Sequence, residues 1–182
     1  MPPHHPTYFK RYRMERSLAS RPAVSPPTGF WFVPWAEHLL DLHADILFHS
    51  FANDLDGKVF PNLADRDGCR FLMRALRALR GFCPSACWLA AGPDGFAGAI
   101  QGIVVGGWGM VQNLGVSPEA RGRGVAAALL SKCLSGFANA GARACHLEVT
   151  ATNTPAVRLY KRFGFRPTRV RYKPAAGVGV GV

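Results

Sequence analysis

The most constraining feature of this sequence is an extended, largely apolar run that passes through two closely spaced glycines into a helix-forming stretch. The run covers Trp108 to Val116, and the helix-forming stretch covers Val125 to Ala140 and ends at Gly141. Between them, Gly122 and Gly124 allow the backbone to turn tightly and to approach a ligand closely. Free N–H groups at the start of the following helix favour an anion such as phosphate. The sequence therefore predicts an anion-binding turn between a strand and a helix.

Two arginines flank these glycines and strengthen the prediction. Arg121 and Arg123 supply guanidinium donors, which form charge-assisted hydrogen bonds with phosphate. The alternative interpretation is a tight strand-to-helix connection that binds no ligand. A dinucleotide-binding Rossmann fold is excluded as the explanation, because the segment lacks the pattern G-x-G-x-x-G.

The rest of the chain alternates strand-like and helix-like segments. The other predicted strands are Phe30 to Val33, Cys87 to Ala91, Phe96 to Val105, His146 to Thr150 and Phe165 to Tyr172. The other predicted helices are Ala36 to Phe51, Cys69 to Arg80, and a short helix with Thr154 as N-cap that stops at Gly164. This order predicts an α/β or α+β domain in which helices flank a sheet.

The two ends of the chain differ in composition from its centre. Residues 1–28 are basic and rich in proline, and we expect an arm that is mobile or loosely docked or, alternatively, binds nucleic acid. Residues 29–174 are predicted to form one domain, which at this length can bury a core without disulfides or metal. Residues 175–182 end in Gly-Val repeats and are predicted to be a disordered tail.

Cysteine usage and hydropathy indicate where such a chain works. Five cysteines without a C-x-x-C pair predict neither a zinc ribbon nor a disulfide scaffold, and they fit a reducing cytoplasm. No run reaches the roughly 18 apolar residues of a membrane helix, and the start of the chain has no apolar signal segment. The sequence therefore predicts a cytoplasmic protein without a membrane segment or a metal site.

Two motifs resemble those of the GNAT N-acetyltransferase superfamily. Val116 to Ala126 fits its acetyl-CoA loop, V-x-P-x-x-R-G-x-G-x-G/A. Leu147 to Phe165 fits its second signature, L-x-V-x-x-x-N-x-x-A-x-x-L-Y-x-x-x-G-F. The resemblance covers residues 111–166. In the part of the chain before residue 111, only the order of strands and helices supports it. It implies a mixed, mostly antiparallel sheet that is splayed between its fourth and fifth strands.

The resemblance also implies a cosubstrate, acetyl-CoA, and the residues that bind it. In the family, the main chain of the loop holds the diphosphate of coenzyme A, and the splayed strands admit its pantetheine arm. The positions implied for the diphosphate are Arg121, Gly122, Arg123, Gly124, Val125 and Ala126, and those implied for the pantetheine are Leu114, Gly115, Val116 and Asn153.

Catalytic roles are implied for two side chains. Tyr160 occupies the position that commonly protonates the departing CoA thiolate. Glu148 matches a glutamate that the bacterial ribosomal-protein-alanine acetyltransferases use as a base through water. The chemistry agrees, because an alkyl ammonium with a pKa near ~10.4 must lose a proton before it can attack. The alternatives are that Tyr160 is a core tyrosine and that Glu148 only neutralises neighbouring arginines.

Charge is distributed unevenly along a chain whose formal net charge is +11. Residues 120–182 contain eleven basic residues and one acid, whereas residues 37–67 contain seven acids and two bases. The acidic segment falls where GNAT proteins place the wall of the acceptor site. We therefore expect a cationic acceptor, with Asp54 and Asp56 as its binding residues. The alternative is a solvated acidic face that balances the global charge.

Together these observations predict an acyltransferase that moves an acetyl group from acetyl-CoA to a primary amine by direct attack. The amine is a protein N-terminus, a lysine or a small molecule, and the protein is a monomer or a homodimer. Neither a membrane nor nucleic acid is expected as a partner. The alternative from another class is an acyl-CoA-binding or nucleic-acid-binding module without catalysis.

Overall fold

The structure, a computed structural model, describes residues 8–20 and 22–175. Its seven strands are β1 (Tyr8–Ser17), β2 (Trp31–Pro34), β3 (Trp88–Gly92), β4 (Gly95–Val105), β5 (Trp108–Val116), β6 (Ala144–Thr150) and β7 (Arg166–Pro174). Its five α-helices are α1 (Leu40–Phe51), α2 (Leu55–Val59), α3 (Arg66–Ala78), α4 (Val125–Asn139) and α5 (Thr154–Arg162). The predicted tail lies, apart from residue 175, outside the described residues.

All seven strands form one open sheet in the order β2-β3-β4-β5-β6-β1-β7. Neighbouring strands are antiparallel except β5 and β6, which run parallel. These two strands pair only from Trp108↔Ala144 to Met110↔His146 and then separate. The predicted mixed, mostly antiparallel sheet is therefore confirmed. The splay lies between the predicted fourth and fifth strands, which become β5 and β6 because an additional strand precedes them.

That additional strand corrects the prediction of an arm over residues 1–28. Tyr8–Ser17 forms β1, which lies between β6 and β7 and pairs antiparallel with both. Met14 is fully buried, and Arg11 is also buried despite its charge. A strand is recognised by alternating apolar and polar residues. The sequence of β1 does not show this pattern, because Arg11 occupies an inward-facing position and arginine is usually exposed to solvent.

Helices cover both faces of the sheet and bury three apolar clusters. On one face, Phe137 of α4 packs so closely on Gly102 and Gly109 that a Cβ there would lie 2.5 Å from its ring. On the other face, α1 and α3 pack together, and His43 of α1 contacts Gln101. Gln101 and Gly102 point to opposite faces because side chains alternate along a strand.

Three predicted helix starts also differ from the observed ones, since α1 begins at Leu40, after a 3-10 turn over Glu37–Leu39, and not at Ala36. α5 is capped by Asn153, whose side chain accepts a hydrogen bond from the Ala156 N–H, and Thr154 is already its first residue. α3 starts three residues before the predicted Cys69, because Asp65 caps it by accepting from the Gly68 N–H. Within residues 8–20 and 22–175, no helix combines the length and apolar character needed to span a bilayer.

Candidate active site

The separation of β5 from β6 opens a cleft of about 1230 Å³ in the middle of the sheet. Its lining includes Val111–Val116 of β5, His146–Val149 of β6, the start of α4, the α1–α2 connection and part of α5. Among the described strands, none pairs with this edge of β5 beyond Met110, so its N–H and C=O groups face the cleft. Leu114, Gly115 and Val116, the predicted pantetheine positions, belong to this edge.

The glycine turn, which we define as Arg121–Ala126, leads from the end of β5 into α4. Gly122 and Gly124 have φ values of +73° and +87°, a region that favours glycine. The turn is largely exposed up to Gly124, and no side chain among residues 8–20 and 22–175 caps the first N–H groups of α4. These N–H groups are therefore available for an anion at the positive end of the helix dipole.

The side chains of the two arginines, which the sequence predicts as donors to the anion, also contact other groups of the protein. Arg121 donates to the carbonyl oxygens of Val116 and Ser50, at 3.2 and 2.8 Å, and pairs with Asp54 at 3.1 Å. Arg123 stacks on the ring of Phe30 at 4.5 Å. Both side chains brace the turn against its surroundings.

Asp54 and Asp56, which the sequence assigns together to the acceptor, lie in different surroundings. Asp54 pairs with Arg121 and also accepts a hydrogen bond from the Leu55 N–H at 2.7 Å. Asp56 accepts hydrogen bonds from Thr150 at 3.3 Å and from Asn153 at 3.4 Å. The short segment between them therefore spans the opening from the glycine turn to the end of β6.

We define the carboxylate cluster as Asp56, Glu148, Arg11, Thr150 and Asn153. Burial raises the pKa of the Asp56 carboxyl, and the charge of Arg11 and the hydrogen bonds from Thr150 and Asn153 oppose that increase. Glu148 is more exposed and lies 3.7 Å from Arg11 and 3.3 Å from Arg171 of β7. The cluster thus holds two carboxylates with different environments beside the cleft.

Tyr160 of α5 is buried in the lining of the cleft, next to this cluster. Burial raises the pKa of its phenol, the nearby Asp56 carboxylate raises it further, and Arg11 opposes both. The phenol is consequently protonated at neutral pH and has a proton to donate. A spacing of seven residues, about two helical turns, places Asn153 and Tyr160 on the cleft side of α5, as the sequence predicts.

Arg11 is the site residue that sequence reasoning missed. It lies on β1, in an exposed-looking basic segment, and reaches the cluster only because β1 inserts beside β6. Thr150, which directly faces it across the two strands, was also missed, although it lies inside the second motif. Among residues 8–20 and 22–175, no group of three or more His, Cys, Asp or Glu side chains could hold a metal ion.

Comparison with known proteins agrees with this architecture. The sequence profile described as "Acetyltransferase (GNAT) family" matches residues 30–165. The chain belongs to the GNAT acetyltransferase family. The matched region of this GNAT protein contains the glycine turn, Asp56 and Tyr160, whereas β1 and β7 lie outside it.

Individual relatives match only a part of this GNAT protein. The mycothiol acetyltransferase of Clavibacter sepedonicus is 39% identical over 90 residues, which are 49% of this chain and 30% of that protein. The putative [ribosomal protein bS18]-alanine N-acetyltransferase of Bacillus subtilis (strain 168) is 33% identical over 89 residues, which are 48% of this chain and 59% of that protein. The family and the names of these relatives support an acyltransferase.

A solved structure extends the likeness over almost the whole chain. The GCN5-related N-acetyltransferase from Sphaerobacter thermophilus superposes with a TM-score of 0.69 over 93% of this chain and 51% of that chain. Its sequence identity is 24%, so the comparison concerns the fold. The sheet and its splay are thus those of a GNAT domain.

Proposed function

We propose that this protein transfers an acetyl group from acetyl-CoA to a primary amine. The observation that carries the proposal is a single cleft, lined on one side by an open main-chain turn and on the other by a buried tyrosine with two carboxylates. A polyanionic cosubstrate with a reactive thioester needs an anion site and a proton donor in one cavity. A module that only bound acyl-CoA would have no use for the second half of this arrangement.

Acetyl-CoA binds through the main chain in this proposal. N–H groups of Arg121, Gly122, Arg123, Gly124, Val125 and Ala126 hold the diphosphate. The free edge of β5 at Leu114, Gly115 and Val116 pairs with the pantetheine, and Asn153 contacts it from α5. An N–H group of the same edge stabilises the oxyanion that forms on the thioester carbonyl. Support comes from the open β5 edge and the uncapped start of α4.

The chemical step requires a proton to leave the amine and another to reach the thiolate. The amine lone pair attacks the thioester carbon, and the tetrahedral intermediate then collapses as the C–S bond breaks. Tyr160 donates its proton to the leaving thiolate, and a carboxylate of the cluster accepts the proton of the amine. Glu148, acting through water, is the base implied by the family resemblance, and Asp56 is the carboxylate whose charge acts on Tyr160. Each positioned acid or base contributes about 10²–10⁴ in rate.

The acceptor is cationic in this proposal. Asp56 and Glu148 place two carboxylates in the lining of the cleft, and the charge of Asp56 acts on Tyr160, where an ammonium group can lose its proton close to the thioester. Asp54 serves a different purpose, because it braces Arg121 and hence the glycine turn. Among amines, the name of the Bacillus subtilis relative suggests a peptide with an N-terminal alanine, and small polyamines are the alternative.

An acceptor screen tests the proposal. The protein is incubated with acetyl-CoA and a panel comprising an N-terminal alanine peptide, a lysine peptide, a polyamine and an N-acetylated peptide as the negative control. We expect amine-dependent release of free thiol and a mass increase of one acetyl group on at least one amine. Tight binding of acetyl-CoA, with no release of free coenzyme A in the presence of any of the amines, would instead support a binding module.

A further inference from the structure

The basic residue Arg11 is buried at the centre of the carboxylate cluster. Only 7% of it is exposed to solvent, although arginine is rarely buried unless it is paired. It comes from β1, where it directly faces Thr150 of β6 on one side and Arg171 of β7 on the other. A buried cation in this position needs compensation from its neighbours, since removing a charge from water is costly.

Four groups provide that compensation. Arg11 donates a hydrogen bond to the Thr150 hydroxyl at 3.2 Å, and its Nε lies 3.7 Å from a Glu148 oxygen. Its guanidinium stacks over the ring of Phe60 at 4.6 Å. Asp56 is close enough to raise the pKa of Arg11, opposing the effect of burial. One guanidinium therefore faces both carboxylates of the cluster.

The Thr150 hydroxyl links Arg11 to Asp56. It accepts from Arg11 and donates to Asp56 at 3.3 Å, so a continuous chain of hydrogen bonds runs from β1 to the first turn of α2. We propose that Arg11 is a positioning residue of the active site, which holds the carboxylates of Asp56 and Glu148 on either side of one buried guanidinium. This inference rests on the proposed function and adds a residue to its site.

The other charged groups around the cluster cannot replace Arg11. Arg171 forms an ion pair with Glu148, and the Lys173 ammonium lies 4.8 Å from the centre of the Phe60 ring. Asp54 and Tyr160 also lie near Asp56, and the charge of Asp54 raises the pKa of the Asp56 carboxyl. Arg11 is the positive charge that acts on Asp56 and lowers the pKa of the Asp56 carboxyl. Its removal leaves a buried carboxyl that takes up a proton at higher pH.

Arg11 also lies outside the part of the chain that the family profile matches. The profile covers residues 30–165, and the strand that carries Arg11 ends at Ser17. The family likeness therefore does not supply this residue. It follows from the topology of this chain, in which β1 separates β6 from β7.

The test compares the Arg11→Met and Arg11→Lys variants with Lys10→Met. Lys10 is the adjacent residue of the same strand and points to the opposite face, so its replacement removes the same net charge away from the cluster. For Arg11→Met we expect kcat/KM for the amine to fall about 10–100-fold at pH 7, with KM for acetyl-CoA within about twofold. We expect the acidic limb of the pH profile to move up by about one pH unit, because Asp56 then ionises less readily. Arg11→Lys should restore part of the loss, and Lys10→Met should behave as the wild type.

A readout without turnover separates this inference from the proposed function. Carbon-13 NMR of the Asp56 carboxyl should show a higher pKa in Arg11→Met than in the wild type. If the wild type acetylates no amine but this shift occurs, the proposed function fails and the placement of Arg11 stands. If the wild type is active but neither the Asp56 titration nor the acidic limb moves, the inference on Arg11 is wrong.

A second variant, Thr150→Val, keeps the inference testable if Arg11→Met does not fold. Thr150→Val keeps the shape of the side chain and removes the hydroxyl that joins Arg11 to Asp56. We expect the Asp56 titration to move in the same direction by a smaller amount, since the hydrogen bond from Thr150 lowers the pKa of Asp56. An unchanged titration in Thr150→Val would also overturn the inference.

Discussion

The glycine turn and the carboxylate cluster line one cleft, but the chain builds them in different ways. The turn is one continuous segment that is exposed up to Gly124, and its arginine side chains contact Ser50 and Phe30. The cluster is assembled from β1, the first turn of α2, β6 and the N-cap of α5, and it consists of side chains. Main-chain recognition of a diphosphate depends on a local conformation, whereas side-chain recognition of an amine depends on the topology of the whole sheet.

The largest expected effect on turnover follows from removal of the proposed proton donor, Tyr160. Tyr160→Phe removes the hydroxyl and keeps the ring, so we expect kcat to fall about 10²–10⁴-fold while KM for acetyl-CoA changes little. The measurement is steady-state thiol release with the best acceptor of the screen. Tyr172→Phe, which changes a strongly exposed tyrosine on β7, is the matched control. Full turnover by Tyr160→Phe would remove the acid role.

Variants of Asp54 and Asp56 distinguish the role of the glycine turn from that of the carboxylate cluster most directly. Asp56→Asn should lower kcat/KM for the amine about 100-fold and leave KM for acetyl-CoA nearly unchanged, because Asp56 belongs to the cluster. Asp54→Asn should instead raise KM for acetyl-CoA a few-fold, because Asp54 holds Arg121. The two variants are compared in the same two-substrate kinetic assay. If both changed only the parameters of the amine, the division between turn and cluster would be wrong.

The turn itself is tested by adding one methyl group. Gly122→Ala places a Cβ where φ is +73° and no atom lies within 4 Å, so strain in the turn is its main consequence. We expect KM for acetyl-CoA to rise about tenfold, since the main-chain N–H groups lose their alignment. Gly107→Ala is the control, because Gly107 has a φ of +78° and equally open surroundings in the β4–β5 turn. Equal effects of the two variants on acetyl-CoA would assign the change to general strain.

The smallest kinetic effect is expected away from both regions, at His43 in the packing of α1 on the sheet. Burial lowers the pKa of His43 to about 3, so the unfolded chain binds a proton that the folded chain excludes between about pH 6.5 and pH 3. The free energy of unfolding therefore falls as the pH decreases through this range, by about 2 kcal/mol between pH 7 and pH 5 from this residue. Urea unfolding at several pH values should show this slope, and His43→Gln should lack it.

His43→Gln also serves as a control for the active site. Its kinetic constants at pH 7 should stay within about twofold of the wild type, because His43 contacts Gln101 and Trp35 and lies outside the lining of the cleft. A wild-type slope of stability against pH in this variant would show that other groups cause the acid sensitivity.

Much of the fold could be predicted because its signals are local. Trp108–Val116 is predicted and observed as one strand, and the left-handed conformations of Gly122 and Gly124 follow from the need for a sharp turn. Val125 begins the predicted helix and the observed one. The strand β1 could not be predicted in the same way. Its partners are more than a hundred residues away in sequence, and its buried arginine contradicts the usual polarity of an inward-facing position.

The same contrast applies to the site. The glycine turn was predicted with its residues, because a motif specifies a main-chain conformation at fixed spacing. The separate roles of Asp54 and Asp56 could not be predicted, since they depend on which arginine, threonine or asparagine the fold brings to each carboxylate. A charge count over residues 37–67 treats these two aspartates as equivalent, whereas the structure gives them different partners.

The central claim is that the glycine turn holds the diphosphate of acetyl-CoA through its main chain. A crystal structure of the protein with coenzyme A tests it most directly. Our account predicts diphosphate oxygens within hydrogen-bond distance of N–H groups between Arg121 and Ala126, with the thiol directed toward Tyr160. Coenzyme A bound at another place, with these N–H groups facing only solvent, would contradict the account.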